Sequence, residues 1–97
     1  MKLVIKEIFK NDYISRVAGE KLRHMILDLW NKNEKVVLDF SELMVASTSF
    51  FDEGVAKLAQ EKINKSLLKT HLSFENLYPR DKELLEKMCK IRGAKLK

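Results

Sequence analysis

Val36-Val37-Leu38-Asp39-Phe40 is a short apolar run, β-branched at its start, and Ser47-Thr48-Ser49 then leads into Phe50-Phe51-Asp52-Glu53. Such a run suits a central strand, and hydroxyls ahead of an apolar, acidic segment mark a helix start. A helix that begins near a strand end presents unpaired backbone N–H groups and side-chain hydroxyls at one point, which can bind an anion or be phosphorylated. A strand, a hydroxyl turn and a helix are therefore expected at the centre of the chain.

The flanking segments repeat the alternation. Leu3 to Phe9 alternates imperfectly, with Leu3, Ile5 and Phe9 on one side and Val4 and Ile8 on the other, which predicts a first strand largely covered on both faces. Asp12 is placed to cap a helix whose apolar residues recur at Ile14, Val17, Ala18, Leu22, Met25, Ile26, Leu29 and Trp30, ending in Asn31-Lys32-Asn33. A second helix is expected from about Phe50 to Asn64, with Phe51, Val55, Leu58, Ala59 and Ile63 buried and Gly54 allowing close approach. Ser49 and Asp52 stand at the spacing of a capping box.

Leu68, Thr70, Leu72 and Phe74 alternate with Lys69, His71, Ser73 and Glu75, predicting a third strand near an edge with one wetter face. Pro79 opens a last helix with Leu84, Leu85, Met88, Cys89 and Ile91 on its apolar side, and Gly93 stops it. The order β-α-β-α-β-α predicts an α/β fold, a single small domain over 1–97, with helices packed on a mainly parallel or mixed sheet. Three strands leave an open edge, for which a homodimer or a short strand from Ala94-Lys95-Leu96-Lys97 are two remedies.

At 97 residues, 45% of them hydrophobic, the chain can bury one core but not two. Cys89 is the only cysteine, no apolar run reaches membrane-spanning length, and Lys2 and Lys6 interrupt what would be a secretion signal, so a cytoplasmic protein is expected. The net charge of +5 is unevenly placed: from Arg80 onward seven basic residues face three acidic ones, a surplus of 7 − 3 = +4. Lys87, Lys90, Arg92, Lys95 and Lys97 are thus candidate nucleic-acid contacts, the plainer account being a solvated last helix with cations at its C-terminal end.

Asp39, Asp52 and Glu53 read either as a carboxylate cluster for metal or acid–base chemistry, or as dipole compensation at a helix start. No glycine-rich phosphate loop or histidine lies near them in sequence, and His24, His71 and Cys89 lack ligand spacing. No catalytic residue, metal or cofactor is expected, and the chain reads as a non-enzyme. Ser47, Thr48 and Ser49 are either capping hydroxyls or a phosphoacceptor turn that meets a partner.

Leu38-Asp39-Phe40-Ser41-Glu42-Leu43, the Ser47 to Phe50 turn, Asp52-Glu53, Arg16, Leu72-Ser73-Phe74-Glu75-Asn76 and Arg92 together resemble the small STAS-like domains of unknown function. These are relatives of the sulphate-transporter and anti-sigma-factor-antagonist fold. In the antagonists an Asp-Ser-Ser-Gly-type turn follows the strand, and its first serine is phosphorylated by a partner kinase. The resemblance puts Thr48 at the phosphoacceptor position and Ser47 where the aspartate would be, with Phe50 replacing the glycine. It implies a regulatory module that docks a protein, such as a kinase-like ATPase, through Ser47 to Glu53, with Phe50, Asp52, Glu53 and Arg16 as contacts. Asp52 and Glu53 in the first helical turn would repel a phosphate there.

Overall fold

The computed structural model describes residues 1–10, 12 and 14–93. Strand β1 (Lys2–Val4) runs into helix α1 (Ile5–Phe9), followed by α2 (Arg16–Asn31) and β2 (Val36–Asp39). Helix α3 (Thr48–Gly54), a 3-10 segment (Ala56–Gln60), α4 (Lys62–Thr70), β3 (Leu72–Glu75) and α5 (Pro79–Ile91) complete the order. The sheet is parallel throughout, with β2 between β1 and β3. The α/β class expected from the alternation is what the chain adopts.

The register explains which residues are buried. Leu3, Leu38 and Phe74 are aligned across the strands, and Val36 and Leu72 lie two residues away on the same face. Leu3, Val36, Leu38 and Leu72 are all buried. The next residues in register, Lys2, Val37 and Ser73, then Val4, Asp39 and Glu75, point to the opposite face, where Lys2, Ser73 and Glu75 are exposed, Val4 and Val37 half-buried and Asp39 buried. Right-handed crossovers that step in one direction, β1 to β2 to β3, place their helices on one face of the sheet. The cover expected on both faces of the first strand is thus complete on one face and partial on the other, where Val4 is half-buried.

Three expected elements change their bounds. The first strand ends at Val4, because the residues after it coil into α1, which sets Phe9 edge-on to Phe50 at 5.7 Å between ring centroids. The helix expected over Phe50 to Asn64 breaks at Val55 (φ −124°, ψ −54°) and Glu61 (φ −105°, ψ 137°). The apolar stripe survives the break, since Phe51, Val55, Leu58 and Ala59 remain buried. Leu68 and Thr70 belong to α4, where Thr70 Oγ1 donates to the carbonyl of Ser66, and the third strand is confined to the four residues that pair with β2.

Two caps also move. Ser15, not Asp12, caps α2 by accepting from the Ala18 amide, while Asp12 accepts from the amide and hydroxyl of Ser15. This leaves Ile14 and Val17 exposed, at 55% and 64%, instead of on the core face. Ser47, not Ser49, caps α3. Helices α2 and α3 meet at Gly19 and Gly54: a Cβ on Gly19 would lie 2.8 Å from both Glu53 Cβ and the Phe50 carbonyl oxygen. Gly54 was expected to permit a close approach, and its partner in the crossing is Gly19.

Candidate functional site

The hydroxyl turn hangs between two anchors. Upstream, the fully buried Asp81 of α5 accepts from the Val45 and Ala46 amides at 2.7 and 2.9 Å, fixing the loop that leaves β2. Downstream, Ser47 Oγ accepts from the Phe50 amide at 3.2 Å and donates to the carbonyl of Ile14 at 2.5 Å, which ties the turn to the start of α2. Thr48 is exposed and Ser49 half-buried. Ser47 therefore accounts for the capping, and Thr48 stands free of it.

Beyond the turn, α3 points its acids inward. Asp52 is held by Arg92 in a two-bond fork, Nε to Oδ1 at 2.9 Å and Nη2 to Oδ2 at 2.8 Å, with Arg16 Nη1 at 3.3 Å. Glu53 receives Arg16 Nη1 at 2.9 Å, Arg23 Nη1 at 3.1 Å and Lys57 Nζ at 2.6 Å. Four cations thus surround two carboxylates, a local surplus of 4 − 2 = +2. Lys57, then Arg23 and Arg16, hold the Glu53 carboxyl at about 2 against the cost of burial. Arg92 above all, with Arg16, keeps Asp52 below the usual carboxylate range.

Of the four expected partner contacts, Phe50 is fully buried and Asp52 and Glu53 are nearly so. They are corrected from docking surface to core and clamp; Arg16, with 58% of its side chain exposed, stays at the surface. The acids are likewise spent on side-chain cations and not on the helix dipole. Arg23 and Lys57 were missed: Lys57 lies at i+4 from Glu53, a readable spacing, whereas Arg23 is thirty residues from it with no local signal.

Asp39 belongs to a separate cluster at the strand ends. It accepts from Asn76 Nδ2 at 2.9 Å, from the Ser41 amide at 2.9 Å and from Ser41 Oγ at 2.6 Å, and Lys2 Nζ lies 3.7 Å away. Asn76, then Ser41, holds its carboxyl at about 2. Among the described residues Asp39 shares no partner with Asp52 or Glu53, so the three acids do not form one site there. Among the described residues no group of three or more His, Cys, Asp and Glu side chains is placed to hold a metal ion.

Lys87 and Lys90 are exposed on α5, but Arg92 is committed to Asp52; Lys95 and Lys97, like the strand expected from Ala94 to Lys97, lie outside the described residues. Cys89 is buried, and burial pushes its thiol up to about 12. The His71 ring meets Thr70 Oγ1, and His24 is exposed.

Residues 18–82 match the family model described as a STAS-like domain of unknown function (DUF4325). The chain belongs to this family. No curated protein and no solved structure matches it. Within this STAS-like domain the matched span includes Asp39, Asp52, Glu53, Arg23, Lys57 and Asp81, whereas Arg16 and Arg92 lie outside it. Among the described residues no helix is long and apolar enough to cross a membrane.

Proposed function

We propose that this STAS-like domain is a non-enzymatic regulatory module that docks a protein partner around the Ser47 to Ser49 turn, with phosphorylation of Thr48 as its switch. The observation that carries the reading is the Ser47 hydroxyl bond to the Ile14 carbonyl, which brings the turn holding exposed Thr48 to exposed Ile14 at the start of α2, where Val17 is exposed as well. An accessible hydroxyl next to solvent-facing apolar side chains suits a modifiable contact surface. Thr48 precedes Asp52 by one helical turn, so a phosphate there lies near Arg16, and the local surplus of cations offsets the repulsion from Asp52 and Glu53. By family resemblance the partner is a kinase-like ATPase or another regulatory protein.

The test is capture from the native cell with the intact mass of the bait measured. Ile14→Ser and Thr48→Glu are expected to weaken capture of one partner, while Thr48→Ala alters stability by no more than about 0.5 kcal/mol. Unchanged capture by both variants, with no phosphate on Thr48, would sink the proposal. Lys87 and Lys90, exposed and three apart on α5, support a second reading as nucleic-acid contacts. Absence of binding to duplex and single strands at low salt removes it.

A further inference from the structure

We propose that the outer edge of β3 accepts an extended segment of a partner polypeptide as a fourth strand, one with apolar residues at alternate positions and basic residues between them. β3 ends the sheet, and its ladder to β2 uses the His71 and Glu75 carbonyls, which accept from the Val36 and Phe40 amides. Strand alternation then turns the N–H and C=O groups of Leu72 and Phe74 away from β2. No further strand lies beside them among the described residues.

The edge opens on a cavity of about 500 Å³, walled on the far side by Lys82, Leu85 and Glu86 of α5. It adjoins a second cavity of about 470 Å³, the two sharing Asn76 and Leu77, that reaches Ser41 and Tyr78. A groove that follows a strand and offers it free backbone groups has the form of a strand-addition site.

The occupant's chemistry follows from the two faces. Side chains of an added strand that fall on the side of Leu72 and Phe74 meet Leu85, flanked by Lys82 and Glu86, and apolar ones suit the buried part of that wall. Those on the other side fall beside Ser73 and Glu75, whose exposed carboxylate is met only by Lys2 among the described residues, so a basic residue is the complement. A second copy of β3 carries no lysine or arginine between Leu72 and Glu75 and lacks that complement. The site is separate from the Ser47 turn and stands or falls independently of it.

The experiment titrates a capped synthetic octapeptide of alternating valine and lysine into the full chain and follows amide hydrogen exchange. Exchange at Leu72 and Phe74 is expected to slow by about tenfold at saturation. N-methylation of alternate peptide amides should abolish binding, and Glu75→Lys should weaken it by about fivefold and favour a valine–glutamate peptide instead. Equal binding of the N-methylated peptide, or protection confined to α2 and α3, overturns the proposal. So does tighter peptide binding by the Leu96→Asp chain, which would make the chain's own C-terminal residues the occupant.

Discussion

Asp81 shows how much one buried carboxylate can organise. It replaces two missing backbone partners at once, so Asp81→Ala leaves the Val45 and Ala46 amides without an acceptor and should cost about 2 to 4 kcal/mol in chemical denaturation. Asp81→Asn keeps one carbonyl oxygen and should cost less. Ser47→Ala removes the α3 cap and should cost about 1 kcal/mol by the same measurement. Glu53 gives a pH signature: its carboxyl lies at about 2 in the folded chain against an ordinary 4.5, so the unfolded chain takes up the proton first as pH falls. The stabilisation is complete above the ordinary value and is lost as pH drops toward about 2. Asp39, at about 2 against an ordinary 3.8, acts with the same sign over a narrower window. Stability measured between pH 5 and 2, a range of about three units, should fall less steeply in Glu53→Gln than in the native chain.

Helices α2 and α3 cross closely, and Gly19 makes it possible. Gly19→Ala places a methyl 2.8 Å from the Phe50 carbonyl, which is backbone and cannot swing away. The gain of about 1 kcal/mol in helix propensity is outweighed, and a net loss of about 2 kcal/mol is expected. At Gly54 the nearest atom is the end of the Leu22 side chain at 3.1 Å, so Gly54→Ala should cost less, and paired thermal melts compare the two. Helix α2 and the buried strand β2 were legible because their apolar periods are long or uninterrupted. The third strand was read too long because Leu68 and Thr70 happen to alternate with their neighbours, and a short run cannot distinguish period two from the end of an amphipathic helix. Only pairing with the four residues of β2 sets its limit.

At the scale of the molecule, Arg92 fastens the last helix to the centre. Among the described residues Arg92→Ala leaves the Asp52 carboxylate, largely buried, only the longer Arg16 contact, and a loss of about 3 kcal/mol in denaturant unfolding is expected. Arg92→Lys should recover part of it, since one ammonium cannot supply the two-bond fork. The sequence by itself determined the alternation of strands and helices, the apolar stripes and the hydroxyl turn, because these depend on neighbours within a few residues. The inward turn of Phe50, Asp52 and Glu53 onto Arg23 and Arg92 and the exposure of Ile14 were decided only by tertiary packing. Their partners lie about 30 to 40 residues away along the chain, as Arg23 and Arg92 do from α3, and no local pattern records which side of a helix such partners will cover.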